Sequence, residues 1–157
     1  MRSKLIYLLL ALALLGGMAI FAWTNPSYEK AFEAKWHYFM GEYDEAYRLA
    51  KEAYELDPYN RMALTVMTRT ETARRYLDYI REGLEYLHRI ESIADHPPID
   101  EADKVRIKMM CEVMMGRYER LAKTPLSDEE LVERARRVYE KFASLYRSLF
   151  GPGSDLP

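Results

Sequence analysis

The chain has 157 residues, room for one domain and not comfortably for two. Hydrophobic residues make up 49% and charged residues 31%, while glycine and proline are sparse at 7 each, a balance that favours long helices over a turn-rich β fold. A net charge of -2 leaves no basic excess for a phosphate backbone, so no nucleic-acid partner is expected, and the lone Cys111 excludes an internal disulfide.

The opening stretch MRSKLIYLLLALALLGGMAIFAWTNP sets Arg2 and Lys4 before an uncharged run, Leu5 to Trp23. As a helix that run covers about 28 Å, close to the roughly 30 Å of a bilayer's hydrocarbon core. Trp23 stands where an interfacial aromatic belongs. The two cations on the short tail, residues 1–4, predict a cytoplasmic N-terminus with the bulk of the chain outside. A cleaved signal peptide is the alternative, with Leu5–Leu15 as its apolar region and Gly17-Met18-Ala19 as its small-x-small site. The apolar run continues through Ile20, Phe21 and Trp23, which a cleaved peptide does not need. The expectation is therefore an uncleaved transmembrane helix at 5–23. No cysteine follows the run, so a lipoprotein attachment is excluded. On either reading the chain from Tyr28 onward is extracytoplasmic, on the periplasmic side of a bacterial inner membrane.

Asn25-Pro26-Ser27 breaks the first helix, with Ser27 as the predicted cap of the next. Gly41 ends that second helical pattern, and another runs from about Tyr43 to Leu56, where Asp57-Pro58 stops it. Two helices of about 13 residues joined by so short a turn must lie antiparallel. Small residues at Ala34, Ala46 and Ala53 suit a close helix crossing. The segment GEYDEAYRLAKEAYELDPYN, with Ala34, Gly41, Tyr43, Ala46, Ala53 and Pro58, resembles a tetratricopeptide repeat over roughly one unit of 34 residues. The second helix carries the match; in the first, Lys30 and Glu33 occupy positions where the family has bulky residues. The resemblance implies an all-α, helical-hairpin bundle of five or six helices over 27–150. It also implies a concave groove lined by the first helix of each pair, and a protein partner in that groove. Carried over, the groove residues are Tyr28, Lys35 and Tyr38 from the first pair and Arg69 from the second. Aromatic rings beside cations suit a peptide with carboxylate or apolar side chains. The competing reading packs Tyr38 in the core and leaves Lys35 solvated.

One repeat cannot bury its own faces. Residues 61–98 continue in helical spacing through Leu64, Met67, Ala73, Leu77, Ile80, Leu84, Leu87 and Ile90 until His96-Pro97-Pro98. Arg75 stands where the repeat's glycine would, so this is a degenerate second unit that can fuse into one long helix. MMGRYERLAK at 114–123 echoes the first hairpin, pairing Gly116 with Gly41 and Tyr118 with Tyr43, and predicts a turn at Gly116. Ser127-Asp128-Glu129-Glu130 reads as a capping box for a last helix to about Phe150, ended by Gly151-Pro152. Its residues Leu131, Ala135, Val138, Phe142, Leu145 and Leu149 form a narrow seam, able to cap the stack or to take a partner helix on Leu131, Val138, Phe142 and Leu145. The tail 151–157 is expected to be disordered.

Catalytic constellations are thin, and no enzyme is expected. No nucleotide-binding glycine loop is present. His88, Glu91 and Asp95 share a helix face, but without a second histidine they read as a solvated surface. KMMCEVMMG at 108–116 gathers soft sulfur ligands of the kind that hold Cu(I). At 100° per residue the five sulfurs spread over about 240° of a helix, so only Met110, Cys111 and Met114 share a face. With Val105, Ile107 and Val113 added, the helix is apolar nearly all round, which predicts a central, buried helix with methionine as filler. The leading functional reading is a membrane-anchored scaffold or accessory subunit of a cell-envelope complex, with no cofactor. The alternative is a copper-handling protein that uses the Met110, Cys111 and Met114 cluster.

Overall fold

A computed structural model of the chain describes residues 2–151 except 122; at 2, 3, 5, 19 and 21–24 it describes the backbone alone. Six helices follow in order: α1 (Arg2–Thr24), α2 (Pro26–Phe39), α3 (Tyr43–Leu56), α4 (Arg61–Ala94), α5 (Glu101–Glu119) and α6 (Glu129–Phe150). No strand occurs among the described residues, so the all-α expectation holds. The described residues divide into two compact units, Met1–Glu71 and Thr72–Pro157. The helix α4 is continuous through the boundary, its first turns in one unit and the rest in the other.

Among the described residues, no helix is long and apolar enough to cross a membrane. The side chains of α1 are described without interruption only from Ile6 to Met18, a run of about 20 Å. Trp23, the expected interfacial aromatic, lies outside the described side chains, as does most of the 151–157 tail. The leucines of α1 that are described, Leu8, Leu9, Leu10, Leu12, Leu14 and Leu15, are all exposed.

In the first unit α2 and α3 form an antiparallel hairpin. The register is visible in the pairs that meet: Ser27 with Ala53, Lys30 with Glu52, and Ala34 with Leu49 and Ala50. Ala31, Ala34, Ala46, Ala50 and Ala53 are all fully buried, since only a methyl fits where two backbones approach closely. Gly41 turns the chain with φ 78°, a left-handed conformation that costs other residues strain. Val66 and Ala63, on the first turns of α4, complete the two small clusters of this core.

The cap of α2 is Asn25 rather than the predicted Ser27: the Asn25 side chain accepts from the Ser27 amide. Proline at the first helical position has no amide to satisfy, so the capping oxygen reaches one residue further. That frees the Ser27 hydroxyl for the interior. It donates to the Ala53 carbonyl at 2.8 Å and accepts from Asn60 Nδ2 at 2.8 Å. Asn60 Oδ1 in turn accepts the amides of Met62 and Ala63, capping α4. One buried network thus fixes the start of α2, the end of α3 and the start of α4.

The fused reading of residues 61–94 is the one realised: α4 is a single helix with no turn near Arg75. The second unit packs its later turns against α5 and α6. Gly83 marks a close approach, where an added Cβ would lie 2.4 Å from Val138 Cγ1 and 3.1 Å from Met114 Cε. Around it the core contains Tyr76, Tyr79 and Ile80 of α4, Ile107, Cys111 and Met114 of α5, and Leu131, Ala135, Val138 and Phe142 of α6. Polar contacts among the described residues also tie the helices, including an Arg117–Glu82 ion pair between α5 and α4 and the Tyr146 hydroxyl donating to Glu112 at 3.2 Å between α6 and α5.

Three expectations change here. No turn forms at Gly116; α5 runs on to Glu119, because a lone glycine without a following break does not stop a helix that has packing on both sides of it. The cap of α6 is Asp128, which accepts from the Glu130 and Leu131 amides, one residue later than the predicted Ser127. And α5 is buried on one face only: Val105 is 54% and Met109 58% exposed. Its neighbours α4 and α6 cover one side, and among the described residues no helix of the second unit covers the other.

Candidate functional site

The site starts from the packed face of α2. Ala31 and Ala34 face the hairpin, so the residues about 100–180° round the helix must point away. Those residues are Phe32, Trp36, Phe39 and Met40, spaced four, three and one apart, and each is between 61% and 68% exposed. Aromatic side chains this large are rarely left in water as a group on one helix. Lys35 lies over the Phe39 ring at 5.9 Å, and Tyr38 meets that ring edge-on at 6.0 Å. Tyr38 also meets Tyr43 edge-on at 5.5 Å, which ties the stripe to the start of α3. The result is an apolar stripe, ordered by its neighbours, with a cation at one margin.

The predicted groove residues are distributed differently. Tyr38 is half-buried against the Ala34, Leu49, Ala50 and Val66 cluster, so its ring supports the stripe from beneath. Lys35 is exposed and joined to the stripe through Phe39. Tyr28 is half-buried on α2, and Arg69 is exposed on α4. Sequence reasoning passed over Phe32, Trp36, Phe39 and Met40. The signal that finds them is the alanine stripe itself, because the packed face, once known, places the bulky residues opposite.

The α6 seam is already occupied. Leu131, Val138 and Phe142 are buried within the second unit, Val138 and Phe142 against the Gly83 approach, and Leu145 is half-buried. The seam caps the chain's own helices and is not an open face for a partner helix.

The sulfur cluster is likewise interior. Cys111 and Met114 are fully buried and Met110 is half-buried. Burial, with a smaller contribution from the Glu112 carboxylate, pushes the Cys111 thiol up to about 11, so it stays protonated and is a poor ligand and nucleophile. A raised folded-state value stabilises the protonated fold below the ordinary thiol range and loses that contribution as pH rises towards 11. Iodoacetamide is expected to alkylate Cys111 in the folded chain at a rate on the order of a hundredfold below that in guanidinium, read by mass spectrometry. Equal rates would place the thiol at the surface. His88 and Glu91 are exposed and 4.0 Å apart. Among the described residues no three His, Cys, Asp or Glu side chains are grouped to hold a metal ion.

No protein family, curated protein or solved structure matches this chain.

Proposed function

We propose that this chain is a membrane-anchored protein–protein interaction module, an accessory subunit of a cell-envelope complex, in which α1 sits in the bilayer and the α2 stripe receives a protein partner. The observation that carries the reading is the exposure of Phe32, Trp36 and Phe39, with the C-cap Met40, on one side of a helix that begins two residues after α1. Trp, Phe and Met are enriched at the centres of protein interfaces, and aromatic anchors supply much of the binding energy there. Lys35 beside Phe39 adds a charge at the margin, where it selects rather than binds.

The anchor rests on α1. A helix of 23 residues is about 34 Å long, and its described leucines point in every direction without cover from the chain. A helix apolar all round belongs in a core or a bilayer. The cations at Arg2 and Lys4 put its N-terminus in the cytoplasm and the two units outside, facing the periplasm. The hairpin's likeness to a tetratricopeptide repeat supports a scaffold over an enzyme. The alternative, copper handling through Met110, Cys111 and Met114, needs a thiolate that burial disfavours.

A photocrosslinking residue placed at Phe32, Trp36 or Phe39 in intact membranes tests this. One discrete protein adduct from these positions, absent when the same residue replaces Glu55 on α3, is the expected result. Trp36→Ser should weaken co-purification of that adduct partner by at least about tenfold. Adducts to lipid alone, or none, would remove the partner. Recovery of the chain in the soluble fraction would remove the anchor.

A further inference from the structure

A pocket in the second unit plays no part in the reading above. It has a volume of 260 Å³ and is lined by Arg75, Asp78, Tyr79, Arg117, Arg120 and Leu121. Arg75, Asp78 and Tyr79 come from α4, Arg117 from the last turn of α5, and Arg120 and Leu121 from the segment just after it. Three arginines and one aspartate are among the lining residues, and Asp78 is paired with Arg81 at 2.6 Å. Arg117 is held in place by Glu82. Arg120 brings a further positive charge to the rim, and the end of α5 adds only a partial negative charge.

Beneath these charges lies an uncompensated polar group. Tyr79 is 1% exposed, and its hydroxyl is a buried side-chain polar atom with no hydrogen-bond partner. Its neighbours account for the ring and leave the oxygen alone: Tyr118 lies at 5.8 Å, ring centre to ring centre, and Tyr118 stacks on Tyr139 at 4.5 Å. Buried hydroxyls are normally paired, because an unmade hydrogen bond costs more than a made one gains. A donor without an acceptor, in a pocket rimmed by guanidiniums, fits an anion with oxygen acceptors.

We propose that this pocket binds a small oxyanion, a phosphate or carboxylate group, held by Arg75, Arg117 and Arg120 and accepting a hydrogen bond from the buried Tyr79 hydroxyl. Guanidinium forks match both groups in plane and spacing. Burial, followed by the nearby Tyr118 and Tyr139, raises the Tyr79 phenol far above its ordinary range, so it remains a donor at any physiological pH. The volume is below that of pockets for drug-sized ligands, so the anion carries at most a short stem. A cation would be repelled, and an apolar ligand would leave the hydroxyl unpaired.

Calorimetric titration of the full chain in detergent at low salt, with inorganic phosphate in one arm and succinate in the other, tests the site. Saturable binding of at least one probe, weakening as salt rises, is expected; phosphate alone assigns a phosphoryl ligand and succinate alone a carboxylate. Tyr79→Phe should lower affinity about tenfold while leaving the melting temperature of the unliganded chain unchanged or higher, since it removes a hydroxyl that has no partner. Arg120→Gln, at an exposed position, should lower affinity several-fold. Failure of both probes to bind, or wild-type affinity in Tyr79→Phe, would overturn the proposal. A drop in the unliganded melting temperature of Tyr79→Phe would also overturn it, because the hydroxyl would then have a partner within the fold.

Discussion

Asn60→Ala is expected to destabilise the chain by about 2–4 kcal/mol, seen as a lower denaturant midpoint and as loss of amide protection at the start of α4. Two costs combine. The α4 cap is lost, because Asn60 Oδ1 no longer accepts the Met62 and Ala63 amides, and a lost cap is worth about 1 kcal/mol. The Ser27 hydroxyl also loses the donor at 2.8 Å that it accepts from, in a site that water does not reach. Leaving buried polar groups unpaired costs about 1–3 kcal/mol more. Asn60→Asp separates the two. It keeps the capping oxygen but brings a charge and removes the Nδ2 donor. If it is as stable as the native chain, the Ser27 contact contributes nothing. Ser27→Ala removes a hydroxyl that makes one bond and accepts another, and should cost less than Asn60→Ala.

This network also shows where sequence reading reaches and where it stops. The hairpin was legible because its signals are local: Gly41 at a left-handed turn, alanines one helix turn apart, and a stop at Asp57-Pro58. The Ser27–Asn60 bond was not, since it joins residues 33 apart and a serine before a helix has a nearer explanation as its cap. The same limit applies to α5. Counting apolar residues round the helix treats Val105 and Met109 as core, but burial depends on how many neighbours arrive, and they cover only the Ile107, Cys111 and Met114 face. The exposed stripe on α2 was readable in principle from Ala31 and Ala34. The Arg75–Tyr79–Arg117 pocket was not, because its two halves lie on different helices with no shared motif.

Gly83→Leu is expected to be at least as damaging as the loss of Asn60, about 3 kcal/mol or more, with the loss concentrated in the second unit. The helical spacing read for α4 runs through Leu77 and Leu84, yet Leu84 is 51% exposed and the buried row passes through Tyr76, Ile80 and Gly83. A glycine inside a helix costs about 1 kcal/mol against alanine, so it persists only where something else requires it. Here the requirement is space for α6: a Cβ would meet Val138 Cγ1 at 2.4 Å, and Val138 is β-branched, with little freedom to turn aside. Gly83→Ala therefore sets two terms of opposite sign against each other, a helix gain of about 1 kcal/mol and an overpacking cost of about 1–3 kcal/mol. The net should be destabilising. The pair Gly83→Ala with Val138→Ala identifies the cause. If the 2.4 Å approach is what matters, the double variant is more stable than the sum of the two single losses by roughly 1 kcal/mol, because Val138→Ala removes the methyl that the new Cβ strikes. Strict additivity would mean that α6 shifts away freely, and that the small residue at 83 has no packing role.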